Sequence, residues 1–579
     1  MTSGTLRSGP TAQALIEGCG RHLRYAALFS AMTNLLFIAP MLYMLQVYDR
    51  VIPTQGRTTL LLLTLVLAFA LATLTALEAV RSRLLVRVGV KLDQMLAGRI
   101  IRASLLHSDS SGRRGSHALR ELDVLRQTLS GPAVPGLLDA PWVPVYALVG
   151  FLIHPWVGAL TIVGALLIIL LAWRNERATK APLQEANSVA GRAYAAHDSF
   201  LAASGVVRAL GLNEVVVHTH LRDRRDGLDL QTRAGLTSAG LAAQSKFVRL
   251  MLQSLALGVG ALLAIAGSIS DGAVFAAMFI VGRALAPIDQ LVGSWRSIIQ
   301  ARGAMSVLDQ LFTATPAALA RTRLPAPKGR LEVSGLILMN GGERPVVDNV
   351  SFSVDPGEVV AIVGPSGAGK STLVRAIAGA IGVDAGDVRF DGADRSDWDP
   401  EQIAQHVGFL PQEVSLLAGT IKDNISRFRC VAGEPASVVD DDAVAAAVAA
   451  GAHKMILQFP GGYDHRLELG GGGISPGQAQ RIGLARALFR TPTYLILDEP
   501  NASLDAEGDA QLNATLKLLK QRGTTILLVT HRLSLLPCVD KLLMLRDGQV
   551  FHYGSPADVL HQIAPANQTA LAASGRQGR

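Results

Sequence analysis

Cysteine is scarce in this chain. Among 579 residues there are three, Cys19, Cys430 and Cys538, far apart and with neither a CxxC pair nor a Cys/His spacing. That excludes a disulfide framework and a structural zinc site and suits a reducing compartment. Charge is thin as well: 17% of residues are Asp, Glu, Lys or Arg, against 49% hydrophobic, where an ordinary soluble protein carries about 25% charged residues. Part of the chain is therefore expected in a membrane. No fixed-period repeat and no long low-complexity tract is evident. The opening MTSGTLRSGPTAQALIEGCGRH is polar and rich in small residues, with the first long apolar run starting near Ala26, so no cleavable signal peptide is expected.

What is present falls into two halves. Six apolar runs of about the length a bilayer-spanning helix requires lie near 26–46, 59–79, 134–154, 156–174, 248–268 and 271–292. A basic stretch containing Arg81, Arg83, Arg87, Lys91, Arg99, Arg102, Arg113, Arg114, Arg120 and Arg126 follows the second run. Another, with Arg174, Arg177, Lys180, Arg192, Arg208, Arg222, Arg224, Arg225 and Arg233, follows the fourth. The opposite-side connections carry chiefly Arg50 and Arg57. By the positive-inside rule both long loops and both termini are cytoplasmic. This distribution accounts for the formal net charge of +8 and leaves no call for a nucleic-acid partner. The long loops keep helical periodicity, so the spans are expected to continue as helices beyond the lipid. Arg283 and Asp289, in or just below the sixth run, are expected either to line a cytoplasmic entrance or to snorkel to the headgroups.

After the linker-like TATPAALARTRLPAPKGR the pattern changes to short β-branched runs alternating with helical ones, as in a parallel-sheet α/β domain. GPSGAGKST, Gly364 to Thr372, follows the strand EVVAIV and opens a helix, which is the setting a phosphate-binding loop requires. Gly364, Gly367 and Gly369 let the backbone wrap phosphate oxygens, with Ser366 in the same loop. Lys370 neutralises β/γ charge, Ser371 can hold Mg²⁺, and the helix N-terminus adds its dipole. YLILDEP ends a buried strand in Asp498, suited to magnesium, and Glu499, suited to activating water. Gln412 and His531 each follow another β-run.

These motifs, in this order with ISPGQ and NASLD, resemble the nucleotide-binding domain of an ABC transporter, and six spans ahead of it resemble an exporter half-transporter. More narrowly, MLYMLQVYDRVIP, LDAPWVPVY and GRALAPIDQLVGSWR are similar to type I protein-secretion ATPases of the alkaline-protease exporter group. The implied fold is a membrane all-α six-helix exporter-type domain followed by an α/β P-loop nucleotide-binding domain. Its parts are a cytoplasmic N-terminal segment 1–25, a transmembrane domain 26–310, a linker 311–330, an ATPase domain 331–565 and a flexible tail 566–579.

The resemblance implies ATP and Mg²⁺ as cofactors. ATP contacts would come from Met339, Gly364, Ser366, Gly367, Gly369, Lys370, Ser371, Thr372, Gln412, Ser475, Gly477 and Gln478. Metal ligands would be Ser371, Gln412 and Asp498, with Glu499 as general base, His531 as γ-phosphate sensor and Asp505 at the dimer seam. It further implies a homodimer in a bacterial inner membrane with two composite sites, the Ser475 segment of one copy closing over ATP held by the other. An unfolded polypeptide would leave through a periplasmic adaptor of the membrane-fusion type and an outer-membrane channel of the TolC type. Since the chain starts just ahead of the first span, no leader-cleaving peptidase domain is expected. The alternative is a stand-alone exporter of lipids or small hydrophobic molecules.

Three departures from the family pattern carry expectations. The usual LSGGQ reads Ile474-Ser475-Pro476-Gly477-Gln478 here. With Ser475 as N-cap, Pro476 occupies N1, where its missing N–H has no intrahelical partner, and Ser475 and Gln478 are spaced as a capping box. The site is therefore expected to be competent. Met339 stands where an adenine-stacking aromatic is usual, which predicts weaker base selectivity. Glu468 lies one residue earlier than the family's acid, with Leu469 in its place. Coupling to the membrane helices is expected through short helices near GSHALRELDVLRQ and GVVRALGLNE, each amphipathic.

Overall fold

The computed structural model describes residues 9–106, 115–315, 323–339, 344–468, 472–502 and 506–559. The chain divides into two compact units, Met1–Ala317 and Ala318–Arg579. Asp505, Leu469, part of the linker proline-alanine stretch (316–322) and the tail 566–579 lie outside the described residues.

The first unit is helical, and six of its segments are long and apolar enough to cross a membrane: Pro10–Thr54, Arg57–Leu106, Ala133–Ile153, Pro155–Leu201, Asn213–Ile265 and Asp271–Gly293. Three run far past the lipid. Arg57–Leu106 has 50 residues and Asn213–Ile265 has 53, so the longer spans roughly 80 Å at 1.5 Å per residue. Leu61, Leu62, Leu65, Val66 and Phe69 on the second span are exposed, as a lipid-facing surface requires. Asp271–Gly293 is the central helix. Its alanines at 273, 276, 277 and 284 are buried, and small residues let neighbouring helices approach closely. The first span does not run straight: a π-helical turn, Val47–Val51, interrupts it, and Asp49 there accepts bonds from Ser270 Oγ (2.6 Å) and Gly272 N (2.7 Å) at the start of the central helix.

One group of polar side chains inside this unit is paired together. Asp139 Oδ1 accepts from Arg81 (2.9 Å), Asn34 Nδ2 (2.7 Å) and Ser30 Oγ. Tyr146 Oη donates to Asn34 Oδ1 at 2.8 Å. Arg283 reaches the same Oδ1 at 3.3 Å and lies 3.3 Å from the Phe37 ring centroid. Asp289 pairs with Arg249 at 2.9 Å and accepts from Ser245 at 2.8 Å. Arg283 and Asp289 are thus each partnered. Each partner lies on another span, as polar groups in an apolar unit require. The helix Gly115–Ser130 is packed along one side. Ala118, Leu122, Leu125 and Leu129 pack against Val88, Leu92, Leu96, Leu308 and Phe312, so this helix spends its apolar face within its own unit. The short helix Ser204–Ala209 buries no residue.

The second unit contains twelve strands among its described residues: β1 Leu331–Met339, β2 Pro345–Val354, β3 Val359–Val363, β4 Ala385–Phe390, β5 Ala393–Asp394, β6 Val407–Leu410, β7 Gly419–Thr420, β8 Arg466–Leu467, β9 Tyr494–Asp498, β10 Thr525–Val529, β11 Lys541–Arg546 and β12 Gln549–Gly554. The main sheet runs β12-β11-β3-β10-β9-β6, with β11, β3, β10, β9 and β6 parallel. Strands β3, β9 and β10 are almost wholly buried, as continuous apolar runs in a sheet covered on both faces must be. An antiparallel sheet, β2-β1-β4-β5, and the pair β7-β8 complete it. Helices cover the main sheet on both sides, giving two apolar layers.

Candidate functional site

The site lies where the parallel strands of the second unit end and their loops begin, as expected for this sheet type. Strand β3 runs straight into Gly364–Gly369 and then the helix Lys370–Ala378. Two glycines are obligatory here. Gly364 has φ 153° and a Cβ would sit 2.2 Å from the Leu545 carbonyl oxygen; Gly369 has φ 90° and a Cβ would sit 2.6 Å from that of Val346. Ser366 and Gly367 are exposed at the tip, whereas Lys370 is buried. Lys370 Nζ donates to the carbonyls of Gly364 (2.9 Å) and Pro365 (2.8 Å). Burial pushes this ammonium below its ordinary pKa, and the nearby Glu499 and Asp498 carboxylates act against that shift. Thr372, one residue past Ser371, is half-buried in the first turn of the helix.

Strand β9 delivers Asp498 fully buried. Its Oδ1 accepts from Ser371 Oγ at 3.1 Å, and its Oδ2 is buried without a hydrogen-bond partner. Burial raises the Asp498 carboxyl above the usual carboxylate range, opposed by the Ser371 bond. The next residue, Glu499, turns sharply. At φ 50° it occupies the left-handed region, a conformation that costs a non-glycine residue about 1–2 kcal/mol. The turn throws its carboxylate between two neighbours: Gln412 Nε2 donates to Oε2 at 3.3 Å, and His531 Nε2 lies 3.2 Å from Oε1. Lys370, Ser371, Asp498, Glu499, Gln412 and His531 are thus one cluster.

Met339 ends β1 opposite Pro345, the residue before the Val346 carbonyl that faces Gly369. It is exposed, 42%, with its N–H bonded to Asp384 at 2.7 Å. Ser475, Gly477 and Gln478 stand apart. Ser475 is the N-cap of Pro476–Leu488 in extended conformation (φ −73°, ψ 157°), with Pro476 in the first turn. Gln478 N donates to Ser475 Oγ (3.3 Å), and Ser475 N donates to Gln478 Oε1 (2.8 Å). The capping box expected from the sequence is present. Among the described residues no hydrogen bond or ion pair joins these three to the phosphate loop. Glu468 is exposed two residues short of the glycine run.

One residue escaped the sequence reading. Gln480, on the helix that Ser475 caps, is buried at 5% exposure, and its Nε2 donates to the carbonyls of Glu499 (3.1 Å) and Pro500 (2.9 Å). The available signal was its placement one turn into an otherwise apolar helix face.

A strand, a glycine loop, a lysine at a helix start, and a buried acid followed by a second carboxylate, in a chain with six membrane-length helices, define an ATP-binding cassette exporter. Comparison with known proteins agrees. The family described as ABC transporter matches residues 347–502. The type I secretion system ATP-binding protein PrsD of Rhizobium meliloti (strain 1021) is 38% identical over 558 residues, 96% of this chain and 95% of that one. The cyclolysin secretion/processing ATP-binding protein CyaB of Bordetella pertussis (strain Tohama I) is 31% identical, covering 95% of this chain and 76% of its own length. A solved structure of a bacterial Atm1-family ABC exporter with ATP bound superposes with a TM-score of 0.82 at 21% identity, over 97% of this chain and 98% of that one; it shares the fold. The chain belongs to the type I secretion ATP-binding proteins, a family of ABC transporters. It is a multi-pass membrane protein and an ATPase.

Proposed function

We propose that this chain is the inner-membrane ATPase of a type I secretion system, working as a homodimer that exports an unfolded polypeptide through a periplasmic adaptor and an outer-membrane channel. The observation that carries this reading is the likeness to a type I secretion ATP-binding protein over 96% of the chain, membrane half included. ATPase motifs alone would suit a lipid exporter equally. The basic loops argue for cytoplasmic termini and a cytoplasmic ATPase unit. Both short helical regions, Gly115–Ser130 and Ser204–Ala209, stay candidates for coupling to hydrolysis.

In this reading the glycine loop and Lys370 hold the ATP phosphates, with Thr372 and Met339 flanking the nucleotide. Glu499 takes a proton from the attacking water while Gln412 and His531 fix the carboxylate from either side. The residues present fit Mg²⁺: Ser371 Oγ and the unpartnered Oδ2 of Asp498 are hard oxygen donors beside the phosphate loop, with Gln412 at hand. When bound, the ion would neutralise charge on the β- and γ-phosphates. Ser475 and Gly477, held by their own cap, would serve ATP bound by the second copy, with Asp505 at the seam.

The test is to crosslink the tagged Glu499→Gln protein with ATP in its native cells and identify what co-purifies. Recovery of an adaptor, an outer-membrane channel and a trapped polypeptide supports the proposal. A lone dimer, with the adaptor expressed yet absent, supports the lipid or small-molecule exporter.

A further inference from the structure

We infer that Gln480 is a positioning residue for hydrolysis, holding the Glu499 carboxylate in line by clamping the strained backbone beneath it. The inference rests on the reading of Glu499 as general base. Glu499 is held at φ 50°, and two backbone bonds and one side-chain bond define that turn: Glu499 N donates to Val529 O (3.0 Å), Ala502 N donates to Glu499 O (3.1 Å), and Gln480 Nε2 donates to Glu499 O (3.1 Å). The same amide nitrogen also donates to Pro500 O at 2.9 Å. A primary amide has two N–H donors on one nitrogen, and here both are spent on successive carbonyls of one turn. Both carbonyls lie within hydrogen-bond reach of this one nitrogen, so the side chain ties Glu499 to Pro500 across the turn.

The placement of Gln480 adds a second consequence. It sits on the helix whose first residues are the Ser475–Gln478 cap, so the base and the signature segment of one chain are joined by a single buried side chain. Any rotation of that helix is transmitted to the carbonyls under Glu499.

The experiment compares Gln480→Met and Gln480→Glu with the unchanged protein, in the full-length chain reconstituted in lipid. Methionine keeps the length and removes both donors; glutamate replaces them with acceptors facing two carbonyls. Each should lower kcat by about tenfold to a hundredfold, since a misplacement of about an ångström costs that much, while KM for ATP changes by less than about threefold. In a Glu499→Gln background the same substitutions should change the residual single-turnover rate by less than about twofold. An unchanged kcat for Gln480→Met overturns the inference. So does an equal loss in both backgrounds, which would mark a general structural role. If Glu499→Gln alone leaves turnover intact, the reading of Glu499 fails instead, and the two failures are told apart.

Discussion

His531 Nε2 stands 3.2 Å from Oε1 of Glu499, with Gln412 on the other oxygen. Three separate strand ends converge on one carboxylate. A base held from both sides has little rotamer freedom to lose as the reaction proceeds, and it is the direct source of the first prediction. Glu499→Gln should lower kcat by roughly 10²–10⁴-fold, the usual contribution of a positioned base, with ATP affinity nearly unchanged. His531→Ala, which removes only one side of the clamp, should cost less. Steady-state hydrolysis alongside nucleotide binding separates the two effects.

The capping box predicts how the signature segment tolerates change. Pro476→Gly keeps Ser475 and Gln478 in place and should alter turnover by less than about tenfold, roughly 1.4 kcal/mol of barrier. Ser475→Ala removes the Oγ acceptor of the Gln478 N–H and should cost about 1 kcal/mol of stability as well as a larger share of turnover. Thermal unfolding read together with hydrolysis distinguishes loss of the cap from loss of the phosphate contact.

Asp498 gives a pH-dependent prediction. Its folded pKa is raised by burial, so the folded chain holds this proton more tightly than the unfolded one. Stability from this group is therefore full below the ordinary value of 3.8 and falls as pH rises through the raised value, remaining low at neutral pH. Asp498→Asn, without nucleotide or metal, should raise the melting temperature of the ATPase unit at neutral pH, about 2–4 °C for each kcal/mol relieved. The gain should vanish near pH 3–4. An equal melting temperature for both proteins at pH 7 would count against the burial argument.

In the membrane unit, Arg81→Ala should strongly destabilise the protein because it leaves the Asp139 charge buried without its cation; breaking such pairs costs about 3–5 kcal/mol. Arg81→Met with Asp139→Leu should be far milder, since no isolated charge remains. Thermal stability in detergent, compared across single and double variants, reports the difference.

How much of this was legible in the sequence follows from distance along the chain. The phosphate loop, the capping box and the Asp498–Glu499 pair are local, each contained within a few residues, and their chemistry can be read from spacing. The six spans are local too, since apolar length alone marks them. The Arg81–Asp139 pair joins residues 58 apart, and Asn34 meets Asp139 across 105, so no window along the chain contains it. For the same reason the partners of Arg283 and Asp289, on other spans, could not be named from the sequence. Gln480 was hidden differently: its place on an apolar helix face marked it, but its partners are backbone carbonyls, which no side-chain pattern names.

The feature on which this mechanism turns is that Glu499 and Ser475 of one chain act on different ATP molecules. It is tested by co-expressing two differently tagged inactive chains, one Glu499→Gln and the other Gly477→Asp, and purifying the mixed dimer through both tags. If sites are shared between copies, one site of the mixed dimer has an intact base and an intact signature segment, and hydrolysis well above either parent is predicted. A mixed dimer as inactive as both parents would contradict it.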